Sequence, residues 1–183
     1  MDADTYQRLA ARTLIDEPDT TFTNEELAIM LAALELGAAA GKVLEMVKKG
    51  ICHRHGLDLI DLRSALDAVT DAATYMPYQT SDHHQHHLSG NDQMLIWCAL
   101  GLGGEAGEVM DTISLLSDSV ISHDVLVKEQ GDVAWYLAGI ATLMGVPMSH
   151  VMQANIDKLA RRYENGYSSE ASKLRVDAGD SNV

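Results

Sequence analysis

The chain reads as an all-α protein, and three observations point there. Leu and Ala lead its apolar residues, with nine Met and a single Phe, a set that favours helix over strand. Several stretches carry apolar residues at helical spacing and stop at Gly or Pro. No segment alternates apolar and polar residues with a period of two.

Taken in order, residues 24–49 read as the first long helix, with Asn24 as N-cap, Glu25 and Glu26 in the first turn, and Gly50 as the stop. Residues 50–56, which include His53-Arg54-His55, read as a loop. A second helix runs from Asp58 to Met76, with Leu59, Leu62, Leu66, Val69 and Ala73 on one face, and Pro77 ends it. Residues 78–90 are polar and hold His83, His84, His86 and His87. A long helix is expected from about Asn91 to Leu116, and another from about Asp124 to Met144. Gly145-Val146-Pro147 breaks the chain, and Ser149 is placed to cap a last helix reaching about Tyr163. Beyond Gly166 the composition turns to Ser, Asp and Gly, so 168–183 is expected to be a flexible tail.

The chemistry concentrates between Glu105 and Asp132. Glu105 and Glu108 form one Glu-x-x-Glu, and Glu129 and Asp132 form a Glu-x-x-Asp after 20 intervening residues. In a helix, residues three apart lie about 60° apart on one face, so each pair aims two carboxylates the same way. The spacer has room for the rest of one helix, a short loop and the start of a returning helix. Four carboxylates would then converge between two helices, an arrangement that requires neutralising cations. Hard oxygen donors in that number suit Mg²⁺, with Mn²⁺ as a substitute.

Composition narrows the partners. The 183 residues carry a net charge of −14, which argues against bulk nucleic acid or an anionic membrane as a partner. No uninterrupted apolar run reaches the ~18 residues of a membrane span. Cys52 and Cys98 are isolated, the start of the chain is acidic, and a cytoplasmic location is the expectation. A phosphorylated substrate would need local cations, and five fall late: Lys158, Arg161, Arg162, Lys173 and Arg175.

The chain also echoes itself. Residues 33–45 match residues 99–111 at seven of 13 positions, Asp71 and Tyr75 lie over Asp132 and Tyr136, and Tyr6-Gln7 matches Tyr78-Gln79. In the first copy the four carboxylate positions read Ala39, Lys42, Ala68 and Asp71. A duplication would make residues 1–77 a degenerate structural copy and 78–167 the active unit, with the seam at Pro77.

Three further stretches line up behind one another: Leu102-Gly-Gly-Glu105-Ala-Gly-Glu108-Val109, Glu129-Gln-Gly-Asp132-Val-Ala-Trp135-Tyr136, and Asn155-Ile-Asp-Lys158-Leu-Ala-Arg-Arg162-Tyr163. Over roughly Tyr78 to Tyr167 the chain resembles the MazG-like, all-α nucleoside triphosphate pyrophosphohydrolases. The resemblance implies a helical bundle, here two MazG-like units packed as a pseudo-dimer, and a homo-oligomer that would be a dimer of pseudo-dimers. It implies Mg²⁺-dependent hydrolysis of a (d)NTP between the α- and β-phosphates, giving (d)NMP and pyrophosphate. Glu105, Glu108 and Asp132 would then be metal ligands and Glu129 a ligand or the general base. Spacing does not say whether Glu105 or Glu129 is the base. Asn155, Lys158 and Arg162, at i, i+3 and i+7 of one helix face, would bind substrate. Where relatives often carry lysines after the first acidic pair, this chain has Thr112-Ile-Ser-Leu115. Lys48 and Lys49 of the first copy stand at the corresponding place and would be lent to the site, unless they are ordinary solvated lysines.

Other features take plainer readings. The 83–87 histidines read as a solvated loop rather than a zinc or nickel site, and His53 and His55 as turn residues. Trp97 reads as core rather than a base-stacking platform, Trp135 and Tyr136 as packing behind the second acidic pair, and Cys98 as buried and inert. Met94, Met110, Met144, Met148 and Met152 read as core filler. A di-iron bundle would need Glu-x-x-His, and no Glu has a His three residues on. The alternative from another class is a non-catalytic nucleotide-binding or regulatory protein, against which the intact four-carboxylate set argues.

Overall fold

The computed structural model describes residues 1–14, 21–74, 85–87, 89–114 and 122–174. Pro77, Tyr78-Gln79, His83, His84, Leu116 and residues 175–183 lie outside them. Seven α-helices are described: α1 (Ala3–Ala11), α2 (Asn24–Val47), α3 (Leu59–Thr74), α4 (Gly90–Ser114), α5 (His123–Leu143), α6 (Met148–Arg162) and α7 (Ser169–Leu174). The protein is all-α. The exceptions are two three-residue strands, β1 (Thr21–Thr23) and β2 (Gln85–His87), too short to leave a period-two pattern.

Local hydrogen bonds explain where the helices begin. Asp2 caps α1 by accepting from the Thr5 N–H at 2.9 Å. At α2 the cap is Thr23, not Asn24. Its hydroxyl accepts from the Glu26 N–H at 3.1 Å while the Glu26 carboxylate accepts from the Thr23 N–H at 2.9 Å, a reciprocal capping box. Asp58 accepts from the N–H groups of Ile60 and Asp61, and Ser89 from that of Asp92. α6 starts differently from the Ser149-capped helix the pattern suggests. The Asp4 carboxylate accepts from both the N–H and the hydroxyl of Ser149, each at 2.8 Å, and Gln7 Oε1 accepts from the Met148 N–H at 2.7 Å. α1 thus supplies the cap across more than 140 residues.

The ends carry corrections too. Gly50 does not stop α2; it lies inside a π-helical turn, Lys48–Cys52, where a Cβ would meet the Leu57 side chain at 2.8 Å. The turn to left-handed backbone comes later, at Arg54 with φ 59°. Residues 169–174, expected in a flexible tail, form α7, and Ser172 there is buried against the His53 ring at 3.2 Å.

Packing gathers the chain into two compact units: Met1–Leu34 with Pro77–Ser149, and Glu35–Met76 with His150–Val183. This grouping does not follow the division at residue 77. Tyr6-Gln7, which the internal echo sets at the head of a first copy, packs on α5 in the same unit as the acidic helices. In that unit β1 and β2 pair antiparallel, Thr21 with His87 and Thr23 with Gln85.

The core of the first unit sits where α4 and α1 meet α5, around Ala10, Met94, Cys98, Ala138 and Ala141. The contact residues are small because the helices approach closely: a Cβ on Gly139 would lie 3.2 Å from Cys98 Sγ. Burial raises the Cys98 thiol pKa, in keeping with an inert thiol. Met110, Met144 and Met152, expected as core filler, are exposed.

In the second unit, His53 stacks edge-on to Tyr167 at 5.3 Å and to His55 at 5.7 Å, and Ser169 donates to the His53 carbonyl, as turn-holding residues would. Lys48 and Lys49 both pair with Glu45. Leu44, Ile51, Leu59, Ile60, Met152 and Ile156 are exposed. The stretch Asn24–Cys52 is long and apolar enough, by length and composition, to cross a membrane, and none of its apolar window is buried. Glu35 and Lys42 interrupt its apolar run, which is why the sequence showed no such segment.

Candidate metal centre

α4 presents Glu105 and Glu108 one turn apart, and α5 presents Glu129 and Asp132 in the same way. Packing of α4 on α5 brings three of the four together. One carboxylate oxygen each from Glu105, Glu108 and Glu129 lies within 4.8 Å of the others. Asp132, counted in the sequence as a fourth ligand, stands outside this trio and acts on it through its charge.

The clustered carboxylates act on one another electrostatically. Lost hydration, then the charges of Glu108, Asp132 and Glu129, raise the pKa of Glu105. Lost hydration, then Glu108 and Asp132, raise that of Glu129, and a hydrogen bond with Glu108 adds to the rise. A divalent cation would offset this mutual repulsion, and the donors are all hard oxygens, so the residues present fit one.

An aromatic wedge sets the spacing behind the acids. Trp97, Trp135 and Tyr136 pack edge to face, with centroids 4.9–5.7 Å apart. Tyr136 fits because residue 101 is glycine: a Cβ there would lie 2.2 Å from the ring. Trp97 is therefore a packing residue, and so are Trp135 and Tyr136. Burial, then the charge of Glu105, raises the Tyr136 pKa, which places its phenol in the field of the site.

Tyr6 was not recognised as a site neighbour from sequence. Its hydroxyl donates to the Gly131 carbonyl at 3.2 Å, between Glu129 and Asp132, and burial followed by the Asp132 charge raises its pKa. The signal was the Tyr-Gln echo, which carries no information about what Tyr6 touches.

The other predicted residues lie on α6 in the second unit. Asn155 and Lys158 are exposed, and Arg162 is half-buried with its guanidinium 5.8 Å from the centroid of the Tyr163 ring.

The model of the MazG nucleotide pyrophosphohydrolase domain matches residues 97–167, a span that includes both acidic pairs and α6. Gene 37 protein of Mycobacterium phage L5 is 38% identical over 78 residues, covering 39% of this chain and 68% of that protein. The chain belongs to the MazG nucleotide pyrophosphohydrolase family. No solved structure matches it. The MazG match begins at Trp97, within α4, so the aromatic wedge and the acidic cluster both fall inside it.

Proposed function

We propose that this MazG protein is a Mg²⁺-dependent nucleoside triphosphate pyrophosphohydrolase that converts a (d)NTP to (d)NMP and pyrophosphate. The observation that carries the reading is the convergence of Glu105, Glu108 and Glu129 from two helices within 4.8 Å. These three, together with Asp132, would hold the cation; Mn²⁺ has the same hard-donor preference. When bound, the cation neutralises the triphosphate and acidifies water. Glu105 or Glu129 would take a proton from the attacking water as the α–β anhydride breaks. Asn155, Lys158 and Arg162 would bind the substrate, the two cations at its phosphates.

The proposal extends to assembly and location. The exposed apolar residues of α2, α3 and α6 support a homo-oligomer or pseudo-dimer in which they are covered. The reading of residues 1–77 as a degenerate copy rests on the sequence echo. Two free cysteines suit a reducing, cytoplasmic compartment.

Product analysis on a panel of NTPs and dNTPs with Mg²⁺, beside Glu108→Gln, tests the reaction. Monophosphate and pyrophosphate from the wild type alone support it. Diphosphate and orthophosphate would move the cleaved bond. Nucleotide binding without turnover by either protein would make the chain a regulatory binder.

A further inference from the structure

α1 is tied to α5, and to the turn that follows α5, by side chains at three levels. Tyr6 reaches the Gly131 carbonyl. Thr13 Oγ1 accepts from the Trp135 indole at 2.8 Å. Gln7 donates to Thr142 at 3.2 Å and to the Val146 carbonyl at 2.9 Å. Only the Tyr6 bond falls within the turn that presents the second acidic pair.

That turn is weak by composition. Gly131 sits inside α5, where glycine costs about 1 kcal/mol of helix propensity against alanine. Among the described residues no packing requires it, since a Cβ there would meet nothing within 4 Å. Glu129, two residues before it, belongs to the close trio, and Asp132, directly after it, adds its charge to that group. A carbonyl oxygen has two acceptor positions, so the Gly131 carbonyl can keep its helical bond and still accept from the Tyr6 hydroxyl.

We propose that Tyr6 is a positioning residue of the acidic site: its hydroxyl, bonded to the Gly131 carbonyl, holds the turn of α5 that presents Glu129 and Asp132. The inference rests on the cluster being a divalent-cation site.

Mn²⁺ affinity of the full chain, measured by calorimetry without nucleotide, tests it. Tyr6→Phe keeps the ring and removes only the hydroxyl. It is expected to weaken Mn²⁺ binding about 3- to 10-fold, the scale of one hydrogen bond. Thr142→Val, which loosens α1 at the far end of α5 by removing an acceptor of Gln7, is expected to leave the affinity unchanged. Adding Gly131→Ala to Tyr6→Phe stiffens the same turn by another route and should recover most of the loss. Wild-type affinity in Tyr6→Phe overturns the inference, and so do equal losses in Tyr6→Phe and Thr142→Val. No Mn²⁺ binding by the wild type would instead overturn the reading of the cluster.

Discussion

A Cβ on Gly101 would lie 2.2 Å from the Tyr136 ring. This pair sets how closely α4 can lie on α5 beside the acidic cluster. One turn beyond Gly101 the chain presents Glu105, and four residues before Tyr136 it presents Asp132. The glycine and the tyrosine therefore control a distance that the carboxylates need.

Gly101→Ala should destabilise the protein by about 1–3 kcal/mol, because the ring can move only by pushing Trp97 and Trp135. A lowered denaturant midpoint with an unchanged slope would show it. Gly103→Ala, where a Cβ has open space, is the control and should not destabilise.

Glu105→Gln and Glu129→Gln should each raise the melting temperature of the cation-free protein and abolish its further rise with Mg²⁺. Each substitution removes a charge from a mutually repelling group. A lowered melting temperature in both would mean the carboxylates are stabilised by a partner other than a cation.

The pH dependence should run in opposite directions with and without Mg²⁺. Glu105 and Glu129 hold protons more tightly folded than unfolded, so they favour the cation-free fold below their ordinary range and cease to as pH rises through the raised values. Cation binding needs them deprotonated. The thermal shift caused by Mg²⁺ should therefore shrink from pH 8 to pH 5; a constant shift would place the cation elsewhere.

Lys48→Ala combined with Lys49→Ala should leave KM for the triphosphate unchanged. Both lysines pair with Glu45, whose pKa falls to about 2 through hydrogen bonds to Lys48 and then Lys49. That pairing lends stability above the unfolded carboxylate pKa and loses it as pH falls toward 2. Its partial exposure limits its worth to about 1 kcal/mol or less. A KM raised about 10-fold would instead mean that the lysines reach the nucleotide.

Lys158→Ala should raise KM for the triphosphate about 10-fold or more, as expected for a lost charge-assisted bond to phosphate. Mn²⁺ binding should be unaffected, which separates a substrate contact from a ligand of the centre. Unchanged KM would return α6 to the status of a solvated helix.

Much of the acidic site was legible because helical periodicity is local. Glu105 and Glu108 share a face by arithmetic, as do Glu129 and Asp132, and the spacer allowed a returning helix. The same logic failed where a local pattern had two solutions. Asn24 and Thr23 are both good caps, and only the bonds to Glu26 choose between them. Gly50 resembles a helix stop, yet it is glycine because Leu57 presses on it.

Sequence by itself determined the all-α class, the helices α2 to α6 but not α1 or α7, and the pairing of carboxylates along α4 and α5, since backbone propensity and a 3.6-residue period act within a few residues. Tertiary structure alone decided that Glu129, and not Asp132, completes the close trio with Glu105 and Glu108. It also decided that α1 packs on α5, that Asp4 and Gln7 cap α6, and that Tyr6 anchors Gly131. These contacts join residues more than 120 positions apart. They depend on which side chains interlock between helices, and no local pattern in the chain encodes that.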